Sequence, residues 1–114
     1  MVAGPHLREF FMEIKVVGKH IEVTSAIRDY AETKAAKLPR YYDRIQAIEF
    51  LVGRADNHHP HEVEIIATVD HADPFVAKVA GDDLYACIDE TVDKMERQLT
   101  DHKERLRNHK HHKP

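Results

Sequence analysis

Residues 45–80 read IQAIEFLVGRADNHHPHEVEIIATVDHADPFVAKVA. Three apolar-rich runs in this stretch, at 45–53, 61–69 and 75–80, are typical of β-strands, and the middle run alternates apolar and polar side chains. Only short links rich in turn-forming residues separate the runs. Because short links favour antiparallel neighbours, the stretch predicts three consecutive antiparallel strands.

The segment before these strands predicts one further strand and a helix. Residues 12–18 (MEIKVVG) alternate apolar and polar side chains as a strand does. Thr24 can cap a following helix, because its hydroxyl can accept a hydrogen bond from a free backbone N–H of the first turn. Pro39 disfavours helical geometry at the residue before it, so we expect the helix to end at Leu38. Its buried stripe is predicted to be Ile27, Tyr30, Ala31, Ala35 and Leu38.

The last predicted element is a long helix capped by Asp82 or Asp83 and ending near Asn108. Its apolar positions recur at steps of three and four: Leu84, Ile88, Val92, Met95, Leu99, His102 and Leu106. Such a helix is roughly 40 Å long, so its end should project beyond the sheet. The element order β-α-β-β-β-α predicts an α+β two-layer sandwich, a four-stranded sheet with two helices on one face.

Length and composition indicate one small domain. The chain has 114 residues, with 42% hydrophobic and 32% charged residues. We expect residues 1–11 to form a flexible extension, 12–108 the α+β domain, and 109–114 a basic His/Lys tail. The sequence predicts no membrane span and no secretory signal. A lone cysteine, Cys87, excludes an internal disulfide and favours a cytoplasmic location.

The net charge of −3 hides an uneven distribution. Residues 1–93 carry 10 Lys/Arg and 17 Asp/Glu, a net charge of −7, whereas residues 94–114 carry 7 and 3, a net charge of +4. An acidic body with a basic arm fits an anionic partner, although a solvated helix end would have the same composition.

Little in the sequence indicates catalysis. It contains no glycine-rich phosphate loop and no HExxH or GxSxG motif, and Cys87 is predicted to be a half-buried helix residue. We therefore expect no enzyme and no cofactor. Two histidine groups could bind a metal adventitiously, but a loop and a tail supply no defined geometry, and no metal site is predicted. These groups are His58, His59 and His61, and His109, His111 and His112.

Basic residues on the two helices are the strongest candidates for a binding site. They lie off the apolar stripes, and two such rows on neighbouring helices would form a positive groove suited to a phosphate backbone. The predicted RNA-binding residues are Arg28, Lys34, Lys37, Arg40, Lys94, Arg97 and Lys103. Ordinary solvated helices remain an alternative. Another is a protein-interaction module that uses an acidic sheet face formed by Glu49, Glu62 and Glu64.

Four stretches resemble a known family. They are GKHIEVTSAIR at 18–28, KAAKLPRY at 34–41, DLYACID at 83–89 and KMERQL at 94–99. Together they are similar to the bacterial ribosome hibernation promoting factors, also called ribosome-associated inhibitors or sigma-54 modulation proteins. The resemblance extends from Met12 to about Lys103, and the chain looks like the short form of that family.

The resemblance implies a fold like that of a double-stranded-RNA-binding domain. It also implies binding to the small ribosomal subunit and its 16S-type ribosomal RNA, in the channel used by tRNA and mRNA. There the protein would keep ribosomes inactive in stress or stationary phase, while the free protein would be a monomer. The basic positions named above match the family's RNA-contacting positions, with Arg28 the weakest. Asp101 and Pro39 depart from the usual residues, and Asp101 removes one expected phosphate contact.

Overall fold

A computed structural model describes residues 12–54 and 59–111. The predicted extension at 1–11, part of the 54–60 loop and the end of the tail lie outside the described residues. The predicted element order is confirmed. The elements are β1 (Glu13–Gly18), α1 (Ser25–Ala35), a 3-10 turn (Leu38–Arg40), β2 (Ile45–Gly53), β3 (His61–Val69), β4 (Phe75–Gly81) and α2 (Leu84–His111).

The four strands form one sheet in the order β1-β2-β3-β4. β3 pairs antiparallel with β2 and with β4, as predicted, whereas β1 runs parallel to β2. A parallel pair needs a crossover connection, and α1 supplies it. One row of paired residues crosses the whole sheet and lies in the core: Val16, Phe50, Ile65 and Ala77.

Both helices cover this core face of the sheet, which confirms the predicted two-layer arrangement. α1 packs on β1, and α2 packs on β3, β4 and α1. The central stripe of α2 is buried as predicted, at Ile88, Val92, Met95 and Leu99. Neither helix, within the described part of the chain, has the length and apolarity needed to cross a membrane.

The end of α2 leaves the sheet, as its length predicts. The ring of His102 still lies edge-on to those of Tyr42 and Phe75, each with its centroid 5.0 Å away. One turn later, Leu106 is 46% exposed. Residues 103–108 are all exposed, so the apolar stripe stops being a core stripe after His102.

Two sequence predictions are wrong in detail. α1 ends at Ala35, three residues before Leu38, and Pro39 lies in the separate 3-10 turn. A proline is tolerated in the first turn of a helical segment, where its missing N–H has no partner to lose. The predicted half-burial of Cys87 is also wrong, since the residue is only 2% exposed and its sulfur packs against Gly81.

The ends of the helices have the expected local causes. The Thr24 hydroxyl accepts a hydrogen bond from the Ile27 N–H at 3.1 Å. Asp83, rather than Asp82, caps α2, since its carboxylate accepts from the N–H groups of Tyr85 and Ala86 at 3.0 and 3.3 Å.

The turn after β1 depends on a glycine. A Cβ at Gly18 would overlap the carbonyl oxygen of Ile21, so only glycine fits this close approach. Two positions further on, the backbone of His20 adopts a left-handed conformation, with φ of 63°. This turn returns the chain from the sheet to the start of α1.

Candidate nucleic-acid interface

A groove runs between α2 on one side and α1 with the 3-10 turn on the other. A contact between Tyr30 of α1 and Asp89 of α2 joins the two sides. The Tyr30 hydroxyl donates to the Asp89 carboxylate, with its oxygen 2.8 and 3.0 Å from the two acceptor atoms. The Tyr30 ring also meets the Tyr85 ring edge-on, with 4.9 Å between centroids. These contacts join α1 and α2 at the edge of the groove.

One half of the groove contains ion pairs, and we call it the paired half. Lys34 Nζ lies 3.3 Å from an Asp89 carboxylate oxygen. Lys37 Nζ lies 3.3 Å from Glu96 and 3.9 Å from Asp93. The two lysines and the two aspartates line a cavity of about 200 Å³. The sequence predicted a positive groove, and this half is not positive, because acidic residues of α2 face the lysines.

The ion pair and the tyrosine hydrogen bond shift two pKa values. The hydrogen bond to Asp89 raises the pKa of Lys34 above 10.5, and the hydrogen bond that Asp89 accepts raises the pKa of Tyr30 above 10.0. Both groups therefore remain protonated at neutral pH. Because the folded-state pKa of Lys34 is raised, its pairing is fully present at neutral pH and is lost only as the pH rises through that alkaline value.

The other half of the groove is basic, and we call it the basic half. Arg40, the last residue of the 3-10 turn, and Lys103 of α2 line one cavity of about 160 Å³ together with Arg107. Tyr41, Thr100 and Glu104 complete its lining. The structure thus brings together two of the predicted site residues with a third cation, Arg107. The spacing of Arg107, four residues after Lys103 on one helix face, is the sequence signal that could have identified it.

The remaining predicted residues lie elsewhere. Lys94 is exposed. It lies about 160° around the axis of α2 from Glu96, which faces the groove, and on the same flank of the helix as Gln98. The Gln98 side chain donates to the Val76 carbonyl of β4 at 2.8 Å, so this flank faces the sheet edge and not the groove. Arg97, also exposed, lies on the outer crest of α2.

Arg28 is a third separate position. Its guanidinium donates to the Val16 carbonyl of β1 at 3.3 Å. The seven predicted residues therefore do not line one groove. Lys34 and Lys37 lie in the paired half, Arg40 and Lys103 in the basic half, and the other three outside both.

The outer face of the sheet carries both charges. Lys78 Nζ lies 3.8 Å from Glu62, and Lys15 is the register partner of Glu49. The exposed side chain of Val76 adds an apolar position. The acidic sheet face of the alternative hypothesis is therefore partly neutralised by lysines.

Metal and nucleophile candidates add little among the residues the structure describes. No group of three or more His, Cys, Asp or Glu side chains in 12–54 and 59–108 could hold a metal ion. His58 and the side chains of the tail histidines lie outside these ranges. Cys87 is buried, and desolvation raises the pKa of its thiol above 9.0, with Glu90 and two nearby aspartates adding to the effect.

Comparison with known proteins gives consistent matches. Residues 14–107 match the family described as sigma 54 modulation protein / S30EA ribosomal protein. The ribosome hibernation promoting factor of Escherichia coli K12 is 33% identical over 98 residues, which cover 86% of this chain and 100% of that protein. The protein of the same name from Azotobacter vinelandii is 35% identical over 94 residues, covering 82% of this chain and 85% of that one.

Two solved structures share the fold. The N-terminal domain of Protein Y from Thermus thermophilus has a TM-score of 0.67 and 34% identity, covering 78% of this chain and 97% of that one. A ribosomal subunit interface protein from Coxiella burnetii has a TM-score of 0.73, covering 82% of this chain and 99% of that one. The second is 22% identical, so that likeness concerns the fold alone.

Proposed function

Because this chain belongs to the sigma 54 modulation protein / S30EA ribosomal protein family, we propose that it binds the ribosome and holds it in an inactive state. Its relatives from Escherichia coli and Azotobacter vinelandii carry the name ribosome hibernation promoting factor. The finer proposal is that it contacts the 16S-type RNA of the small subunit and occupies the path of tRNA and mRNA. Silencing then follows from occupancy, with no chemical step.

The observation that carries this proposal is the basic half of the groove. Arg40, Lys103 and Arg107 surround one cavity with a single carboxylate, Glu104, among its lining residues. Arginine presents a planar fork of donors that fits phosphate oxygens, and lysine adds a flexible point charge. The hydroxyls of Tyr41 and Thr100 are further donors within the same lining. This combination suits an RNA backbone.

Recognition of this kind depends on shape. Contacts to phosphate and sugar position a protein on RNA without reading the bases. α2 is about 42 Å long, so its projecting end can follow a backbone over several nucleotides. One further arginine, Arg105, lies on this projecting end beside Arg107 of the basic half. A folded ribosomal RNA with closely spaced phosphates is therefore a better partner than a short free strand.

Charge reversal in the basic half tests the proposal. Arg40→Glu with Lys103→Glu is expected to weaken co-sedimentation with purified small subunits at least about tenfold, since it replaces two attractive phosphate contacts by repulsive ones. Inhibition of a cell-free translation reaction should fall in parallel. The matched control is Lys15→Glu with Lys78→Glu on the outer sheet face, which changes the net charge equally.

The control separates the alternatives. Binding that survives reversal in the basic half but is lost on reversal of the sheet lysines would place the partner on the sheet. Equal loss in both variants would mean that net charge, and not the groove, governs binding. Melting temperatures of both variants should stay within a few degrees of the parent, because exposed charges contribute only about 0–1 kcal/mol each.

Competition tests the proposed channel. Small subunits loaded with mRNA and tRNA should bind the protein much more weakly than empty subunits, because the protein would occupy the same path as the mRNA and tRNA. Undiminished binding to the loaded subunits would leave ribosome binding intact and exclude the channel as the site.

A further inference from the structure

Three carboxylates of α2 form a row that faces the lysines of α1. Asp89, Asp93 and Glu96 recur at steps of four and three, which places them on one side of the helix. Each lies within 3.9 Å of the ammonium group of Lys34 or Lys37. We call these three residues the acidic row. It occupies the positions that phosphates would take if Lys34 and Lys37 bound RNA.

The two halves of the groove therefore differ in sign. The acidic row and its two lysines sum to a net charge of −1, whereas the basic half, with three cations and Glu104, sums to +2. A phosphate approaching the basic half is attracted at once. A phosphate approaching the paired half meets carboxylates and must displace them from the lysines.

The ion pair of Lys34 and those of Lys37 differ in how readily they separate. Asp89 is also held by the Tyr30 hydroxyl, so it stays in place when Lys34 moves. Lys37 is shared between Asp93 and Glu96, with the Asp93 contact at 3.9 Å, and the Asp93 side chain is 57% exposed. Asp93 and Glu96 make no other ion pair or side-chain hydrogen bond within the described part of the chain, so a phosphate that takes over Lys37 disturbs no further contact.

We propose that the acidic row competes with RNA phosphates for Lys34 and Lys37 and thereby weakens binding of RNA that does not fit the whole groove. This inference rests on the proposed function in one respect, that the groove receives RNA. An RNA that reaches only the basic half gains nothing from the two lysines. If the RNA backbone also runs along the paired half, its phosphates replace the carboxylates of the acidic row. The RNA then gains the contacts with Lys34 and Lys37.

The test neutralises Asp93 and Glu96 without changing their shape. Asp93→Asn with Glu96→Gln is compared with Glu90→Gln with Asp82→Asn, which removes the same charge from α2 and the residues just before it. Glu90 and Asp82 are exposed, and neither forms an ion pair within the described part of the chain. The probe is a fluorescent oligouridine of about 30 nucleotides, an RNA with no designed fit to the groove.

We expect the Asp93/Glu96 variant to bind the oligouridine about three- to tenfold more tightly than the Glu90/Asp82 variant, given the strength of exposed ion pairs. The slope of log affinity against log salt should also steepen by about 0.7, the value for one added contact on a single strand. A purely structural role for Asp93 and Glu96 would not steepen this slope.

A third variant tests whether the tighter binding of the oligouridine depends on Lys37. Adding Lys37→Gln to the Asp93/Glu96 variant should abolish both the tighter binding and the steeper slope. The proposal is overturned if the two neutralised variants bind equally, or if the gain persists without Lys37. Failure of the parent protein to co-sediment with small subunits would contradict the proposed function alone, because the oligouridine comparison measures the competition directly.

Discussion

Two adjacent residues of α2, Ile88 and Asp89, contribute to the structure in different ways. Asp89 accepts hydrogen bonds from Tyr30 and pairs with Lys34, so one carboxylate connects the two helices at the groove. Ile88, its neighbour in sequence, is completely buried against the sheet. Successive residues of an α-helix are rotated by about 100° around the helix axis. Ile88 can therefore face the core while Asp89, the next residue, faces the groove.

Replacing Ile88 with Ala should lower the free energy of unfolding by about 2–5 kcal/mol, through lost burial and the cavity that remains. Leu106→Ala is the matched control on the same helix and the same stripe. Because Leu106 is 46% exposed, its truncation should cost less than about 1 kcal/mol. Urea denaturation of both variants measures the difference, and equal costs would contradict the view that the helix leaves the sheet after His102.

Cys87 should resist alkylation in the folded protein. Burial raises the pKa of its thiol, so the reactive thiolate is scarce at neutral pH, and the sulfur lies against Gly81. Iodoacetamide at neutral pH is expected to leave Cys87 unmodified in buffer and to modify it fully in denaturant, as measured by mass spectrometry. Rapid labelling of the native protein would show that the start of α2 opens readily.

At the scale of elements, capping side chains mark where the helices begin, whereas α1 ends three residues before the position that Pro39 predicts. Thr24 and Asp83 cap their helices with side-chain hydrogen bonds of ordinary length. By contrast, α1 stops at Ala35 and is followed by the 3-10 turn, in which Leu38 is completely buried and Arg40 lines the basic half. The shape of this turn therefore positions a candidate binding residue.

The cap of α2 can be tested against its neighbour in sequence. Asp83→Ala should destabilise the fold by about 1 kcal/mol, since two N–H groups of the first turn lose their acceptor. Asp82→Ala removes the same charge one residue earlier. Because Asp82 makes no capping bond among the described hydrogen bonds, this change should destabilise the fold by only a few tenths of a kcal/mol. Thermal unfolding by circular dichroism compares them, and a larger loss for Asp82→Ala would reverse the assignment of the cap.

At the scale of the whole molecule, the basic residues fall on different surfaces. Lys94 and Arg97 are exposed on the side of α2 turned away from α1. We expect Lys94→Glu with Arg97→Glu to leave the melting temperature nearly unchanged and to weaken small-subunit binding less than Arg40→Glu with Lys103→Glu. Co-sedimentation at one salt concentration compares the two. The opposite ranking would move the interface to the outer flank of α2.

Salt dependence reports how much of the binding is due to phosphate contacts. If Arg40, Lys103 and Arg107 each contact one phosphate, log affinity for the small subunit should fall with log salt at a slope of about −2 to −3. Displacement of the acidic row by subunit RNA would add the contacts of Lys34 and Lys37 and steepen the slope further. A titration between low and moderate salt measures it, and an affinity independent of salt would point to a protein interface.

The sequence by itself determined the elements and their buried faces. Strand alternation and the recurrence of apolar residues along α2 are local patterns, so they assign Val63, Ile88 and Leu99 to the core without knowledge of their tertiary neighbours. The family followed in the same way, from short motifs in order. The same patterns miss the full burial of Cys87, because it depends on a strand end, at Gly81, and not on the residue's own stripe.

The character of the groove was decided only by the tertiary structure. Lys34 and Lys94 look alike in the sequence, each lying three residues before another cation. Lys34 meets Asp89, 55 residues later, only because α1 packs beside α2 at one particular rotation. Periodicity gives the face of a helix that is buried, but the neighbours of its polar flanks depend on how the two helices lie together on the sheet. That placement is a property of long-range packing, which no local pattern contains.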